Sequence, residues 1–175
     1  MIGRILAISD RVSVAVGALS ALLLVAIAVM ILSEIVARAA FNISLSFAWE
    51  YSSYCMAVAI FCGASYALRT GAHVRVSLLT ANVPPRLARG IDIAATMAGL
   101  AITVFIAVAM TEMAVGSWAG GSRSATSVAT PLVVPQGGIA FGCALFALQL
   151  TARLVRLLIG EPPELAVADD LKADH

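Results

Sequence analysis

The chain has 175 residues, of which 61% are hydrophobic and 12% are charged, and its mean hydropathy is +0.99. Soluble domains are about 45–50% apolar and about 25% charged, so this composition excludes an ordinary water-soluble fold. The formal net charge of +1 gives no general attraction to nucleic acid.

Four apolar segments are long enough to cross a membrane, because about 20 residues of α-helix span the hydrocarbon core. Backbone groups find no water partner in lipid, so helices are the expected structure. The predicted spans cover residues 12–35, 47–68, 91–115 and 135–159. The sequence therefore predicts an all-α integral membrane protein with a four-helix transmembrane domain over residues 1–160. An acidic, disordered cytoplasmic tail is expected over residues 161–175.

The N-terminal segment has some features of a secretory signal peptide. Arg4 and Arg11 precede an apolar stretch, and Ala37-Arg38-Ala39 is similar to a small-x-small cleavage site. However, the apolar stretch over residues 12–32 is longer than the roughly 7–15 residues of a signal-peptide core. We therefore expect a retained first helix.

The distribution of lysine and arginine predicts the orientation of the chain. The two termini and the connection between the second and third spans carry Arg4, Arg11, Arg69, Arg75, Arg86, Arg89, Arg153, Arg156 and Lys172. The other two connections carry only Arg38 and Arg123. Positively charged residues concentrate on the cytoplasmic side of a membrane protein. Both termini and the central connection are thus predicted to be cytoplasmic.

Three glutamates, Glu34, Glu50 and Glu112, lie near the outer ends of the predicted spans. Carboxylates close to lipid are costly and mark candidate functional sites. Glu34 precedes Arg38 by one helical turn, a spacing that favours an ion pair. Glu50 and Glu112 are candidate contacts with a partner protein, and contact with lipid headgroups is the alternative.

The sequence contains no pattern typical of an enzyme, a metal site or a cofactor site. His73 falls in a basic connection and His175 ends the chain, whereas haem in a membrane cytochrome needs ligands inside the helical bundle. The three cysteines, Cys55, Cys62 and Cys143, lie in apolar runs and are interpreted as packing residues. We therefore predict a protein without catalytic activity or cofactor.

A basic turn follows the second span. Arg69 lies where its charge complements the C-terminal end of a helix dipole, and Gly71 permits a left-handed cap. His73 and Arg75 follow in a stretch that alternates polar and apolar residues, which suits a cytoplasmic membrane interface. The alternative is a positively charged anchor that only fixes the orientation of the chain.

These residues carry a resemblance to a known family. Phe61-Cys-Gly63-Ala, followed by Ala-Leu-Arg69-x-Gly71-x-His73-Val-Arg75-Val, resembles the small, DctQ-like membrane subunit of tripartite ATP-independent periplasmic (TRAP) transporters. The resemblance covers about residues 5–158 and is most specific from Glu50 to Val76. Glu50 matches the acid that opens the second helix in the family, and Gly63 matches a glycine in mid-helix.

The resemblance implies the small scaffold subunit of a sodium-coupled importer of organic acids in the bacterial inner membrane. The implied partners are a large membrane subunit, which holds the substrate and sodium sites, and a periplasmic substrate-binding protein, with membrane lipids around the complex. Two alternatives remain open. One is a stand-alone proton-coupled exporter, for which Glu34 is the candidate glutamate. The other is the membrane anchor of a respiratory enzyme, against which the histidine positions argue.

Overall fold

The computed structural model describes residues 2–71 and 84–161, except for the side chains of residues 2–5 and 85. The predicted turn residues His73 and Arg75 and most of the predicted tail lie outside this range. Within it, the chain forms four helices. They are α1 (Ile2–Phe41), α2 (Ser46–Thr70), α3 (Pro85–Gly120) and α4 (Val133–Ile159).

All four helices are long and apolar enough to cross a membrane, which confirms the predicted fold class. Each contains one of the predicted spans and extends beyond it. The α1 helix has 40 residues and α3 has 36, which correspond to about 60 and 54 Å of helix. Both exceed the roughly 40–45 Å of a bilayer with its headgroups. Hydropathy therefore identified the apolar part of each helix and not its polar ends.

The helices pack side by side in the order α1, α2, α4, α3. The α2 helix packs along α1 on one side and along α4 on the other, and α4 then packs along α3. The α1 helix touches α4 only slightly, and within the described part of the chain α3 contacts neither α1 nor α2. The arrangement is therefore a row of helices, and α3 has a single neighbour.

Small residues allow the helices of the row to approach closely. Ser13 Oγ donates to the Ser65 carbonyl at 3.2 Å, and Ser20 Oγ donates to the Ala59 carbonyl at 2.8 Å, so buried hydrogen bonds join α1 to α2. Between α2 and α4, a Cβ added at Gly142 would lie 2.9 Å from the Phe61 Cβ. A larger residue there would push the two helices apart, in keeping with the small residues found at membrane helix interfaces.

Several local predictions are confirmed. Gly71 has φ 74° and caps α2 in the left-handed conformation. Cys62 and Cys143 are free thiols and completely buried, as expected of packing residues.

Candidate functional site

Asp10 binds two arginines from different helices at the end of the row where α1 begins and α2 and α4 end; we call this the basic end. Arg69 of α2 donates from Nε to Asp10 Oδ1 at 2.6 Å and from Nη2 to Oδ2 at 3.2 Å. Arg156 of α4 donates from Nη2 to Asp10 Oδ1 at 2.7 Å. One carboxylate thus connects three helices.

Burial makes this ion cluster important for stability. The side chains of Arg69 and Arg156 are 8% and 4% exposed, whereas that of Asp10 is 28% exposed. A buried guanidinium is costly unless it is paired, and removing its partner is strongly destabilising. The bidentate contact of Arg69 uses the planar fork of the guanidinium, which matches the geometry of a carboxylate.

Two further contacts hold the beginning of α1 against α4. Gln149 is buried and donates from Nε2 to the Ser9 carbonyl at 2.6 Å. Arg156 also donates to the Leu6 carbonyl at 3.4 Å. The α1 helix touches α4 only slightly, so these polar contacts at the basic end are an important part of the connection between the two helices.

Arg89 joins α3 to the end of α4. Its Nε donates to the Leu157 carbonyl at 3.0 Å, and its Nη2 donates to the Leu158 carbonyl at 3.2 Å. The last carbonyls of a helix have no hydrogen-bond partner within the helix and carry partial negative charge. A guanidinium there donates the missing hydrogen bonds and brings a complementary positive charge. The basic end therefore contains arginine contacts from three of the four helices.

Glu34 lies at the opposite end of the row, which we call the loop end. Arg38 Nε donates to Glu34 Oε1 at 3.2 Å, so the predicted ion pair is confirmed. Ser44 Oγ donates to the same oxygen at 3.0 Å, and the Leu45 N–H donates to Oε2. Glu34 thereby satisfies a backbone donor just before α2 and holds the short connection between α1 and α2.

Glu50 is buried at the loop end and holds the connection between α3 and α4. Tyr54 donates to Glu50 Oε1 at 2.9 Å, and Thr126 Oγ1 donates to Oε2. Ser124 extends the network, because its Oγ lies 2.9 Å from Thr126 Oγ1 and accepts from the Thr130 N–H at 3.1 Å. Glu50 thus joins the start of α2 to the loop between α3 and α4.

The remaining candidate residues are placed differently. Glu112 lies on the exposed side of α3 and is not brought together with Glu34 or Glu50. Arg69 turns inward onto Asp10, next to the cap at Gly71. Among the described residues, no group of three or more His, Cys, Asp or Glu side chains is arranged to hold a metal ion.

Sequence reasoning missed Asp10. The candidate acids were those inside the predicted spans, and Asp10 precedes the apolar core of α1. A signal was available, since Asp10 is the only acid before the first span and shares the predicted side of the membrane with most of the arginines. A single acid among many arginines at the same end of a helical protein indicates a structural ion pair, because charged side chains are rarely buried without a partner.

Residues 27–160, well over half of the chain, match the family model of the DctQ component of tripartite ATP-independent periplasmic transporters. The matched range contains Arg69 and Arg156 and also the loop-end network around Glu50. Searches of curated proteins and of solved structures gave no significant match.

Neutralising Asp10 should destabilise the fold. Asp10→Asn removes the negative charge that both buried guanidinium groups contact, so we expect a loss of about 3 kcal/mol in the free energy of unfolding. The exposed Glu161→Gln is the control and should stay within about 0.5 kcal/mol of the wild type. Thermal unfolding of the detergent-solubilised protein measures both.

The cluster also predicts non-additivity. Arg69→Gln should cost less in the Asp10→Asn background than in the wild type, since the two residues share one interaction. An Asp10→Asn variant that unfolds at the wild-type temperature would show that the cluster contributes nothing to stability.

Proposed function

Because the chain belongs to the DctQ family, the small membrane component of TRAP transporters, we propose that it is the scaffold subunit of a sodium-coupled importer of organic acids. It is a multi-pass protein of the bacterial inner membrane. In this proposal it supports the large transport subunit, contributes to the docking surface for a periplasmic binding protein, and has no catalytic activity of its own.

The observation that carries the scaffold role is that the acids of α1 and α2 are all engaged inside the subunit. Asp10 bridges three helices, Glu34 holds the connection between α1 and α2, and Glu50 holds the connection between α3 and α4. Side chains fixed in this way are suited to maintaining an architecture. A transport pathway needs ionisable groups that can release and rebind their ligand.

The contacts of Glu34 also argue against a stand-alone proton-coupled exporter. Such an exporter would need Glu34 to lose and regain a proton in an accessible cavity. Glu34 instead accepts hydrogen bonds from Arg38, Ser44 and the Leu45 N–H. These donors stabilise the charged carboxylate, which is unfavourable for a proton carrier.

We further propose that the basic end is cytoplasmic and the loop end periplasmic. The excess of arginine at the basic end supports this orientation. The loop that Glu50 holds, residues 121–132, then lies on the side where a periplasmic binding protein arrives. Through this loop, Glu50 supports the docking surface as a positioning residue.

Reporter fusions test the orientation. A fusion after Ala81 and a fusion after Lys172 should report a cytoplasmic location, and a fusion after Ser124 should report the periplasm. A periplasmic signal from the Ala81 fusion would contradict the proposed orientation.

Reconstitution tests the scaffold function itself. Proteoliposomes that contain only this subunit should show no sodium-dependent uptake of organic acids, because the proposal places the substrate and sodium sites in the large subunit. Vesicles with both membrane subunits and the binding protein should show uptake, and omission of this subunit should abolish it. Uptake by the isolated subunit would overturn the scaffold proposal and favour an exporter.

The role of Glu50 is tested by Glu50→Gln. Tyr54 and Thr126 donate to different oxygens of Glu50, and the amide nitrogen of glutamine cannot accept a hydrogen bond. One of the two bonds is therefore lost, and the loop at residues 121–132 should loosen. Hydrogen exchange in that loop should accelerate, and half-maximal uptake should need several-fold more binding protein. Glu34→Gln is the matched control, because it alters the other connection. Unchanged exchange in Glu50→Gln would contradict the positioning role.

A further inference from the structure

Glu112 differs from every other carboxylate in the described helices. Asp10, Glu34 and Glu50 are hydrogen-bonded inside the chain, and Asp92 also has an interaction partner. Within the described part of the chain, Glu112 has no hydrogen bond or ion pair, and its side chain is exposed. An unpaired carboxylate on a membrane helix requires an explanation, because such residues are expensive where lipid surrounds them.

The position of Glu112 along α3 places it below the membrane surface. Trp118 is 76% exposed near the end of α3, and tryptophan at that position is typical of the headgroup level. Glu112 lies about 9 Å along the helix from Trp118, toward the middle of the membrane. This position falls within the predicted span of residues 91–115, at the outer edge of the hydrocarbon region.

Glu112 also lies on the side of α3 that faces away from the rest of the subunit. The buried residues of α3 include Thr96, Thr103 and Ala114, which mark the side toward α4. At about 100° per residue, Glu112 points about 160° away from Ala114. The same outward stripe contains Ala94, Ala98, Ala101, Phe105, Gly116 and Ala119, all exposed.

The composition of this stripe suits contact with another helix. Alanine and glycine at helical spacing allow backbones to approach closely within a membrane. A Cβ added at Gly116 would meet nothing within 4 Å, so the small residue is not required by packing inside the subunit. Phe105, 74% exposed, supplies a large apolar group for insertion into a neighbour. The carboxylate of Glu112 then requires a donor from that neighbour.

We propose that this outward face of α3 binds a transmembrane helix of the large membrane subunit, and that the helix brings a lysine or arginine to the depth of Glu112. The proposal rests on the scaffold function proposed above and specifies which surface performs it. A charge-assisted hydrogen bond between the two side chains would satisfy both charges away from water.

A second copy of this chain fits the face poorly. In a two-fold symmetric dimer about the membrane normal, the same patch meets itself, so Glu112 would lie near its counterpart. Two carboxylates in that position repel each other, and like charges across an interface are unfavourable. Charge complementarity therefore favours a different chain with a basic residue.

Photo-crosslinking in the assembled complex tests the face directly. A benzophenone amino acid at Phe105 should crosslink to the large subunit, identified by mass spectrometry. The matched control is the same substitution at Phe141, which is exposed on α4. We expect several-fold more crosslinked large subunit from position 105. Crosslinks from position 105 to a second copy of this chain would overturn the proposal.

Substitutions test the charge and the close approach separately. Glu112→Lys should lower the yield of copurified large subunit about tenfold or more, because it places a second cation opposite the first. Glu161→Lys, with the same charge change outside the helices, should leave the yield unchanged. Gly116→Leu should lower the yield without any change in charge. Size-exclusion chromatography of each variant alone confirms that it folds.

The outcomes separate this inference from the scaffold function. If the wild-type subunit does not copurify with the large subunit, the scaffold function fails and this inference fails with it. The other outcome is that the wild type copurifies, the crosslinker at position 105 captures no large subunit, and Glu112→Lys and Gly116→Leu give wild-type yields. In that case the assignment of the interface to α3 is wrong and the scaffold function stands.

Discussion

The fold depends on the requirement that the buried charged groups of a membrane protein find partners in the protein. Asp10 satisfies this requirement for two buried guanidinium groups at once. Its contacts join the start of α1 to the ends of α2 and α4, and the Gln149 contact reinforces the same joint. Lipid supplies no hydrophobic force between helices, so such specific contacts, together with close packing of small residues, determine which helices are neighbours.

The resulting row of helices has consequences for function. A closed four-helix bundle would turn most polar groups inward. Its outer surface would then consist mainly of apolar side chains that face lipid, with little that could bind a partner specifically. Among the described helices, α3 packs against α4 alone, where Arg89 also binds, and no described helix covers its opposite side. The acids with internal partners hold the subunit's own architecture, whereas Glu112, which has no partner among the described residues, lies on the face that we propose for the contact with the large subunit.

The sequence predicted the features that depend on composition and local spacing. The four spans follow from apolar runs, the Glu34–Arg38 pair from one helical turn, and the cap at Gly71 from the conformational freedom of glycine. It did not predict contacts between distant positions, because no local pattern relates Asp10 to Arg69 and Arg156, which are 59 and 146 residues away. The order of helices in the row was unpredictable for the same reason.

Arg69 and Arg156 contribute to the fold in two ways that a charge count does not distinguish. In the orientation proposed above, each presents during insertion, before the helices pack, a positive charge that disfavours translocation. After packing, both are buried against Asp10 and no longer face the lipid headgroups. Arg11 and Arg86 are exposed, and in the proposed orientation they are the residues available to the anionic leaflet. The positive charges that favour the proposed orientation are therefore, in part, the same groups that hold α1, α2 and α4 together.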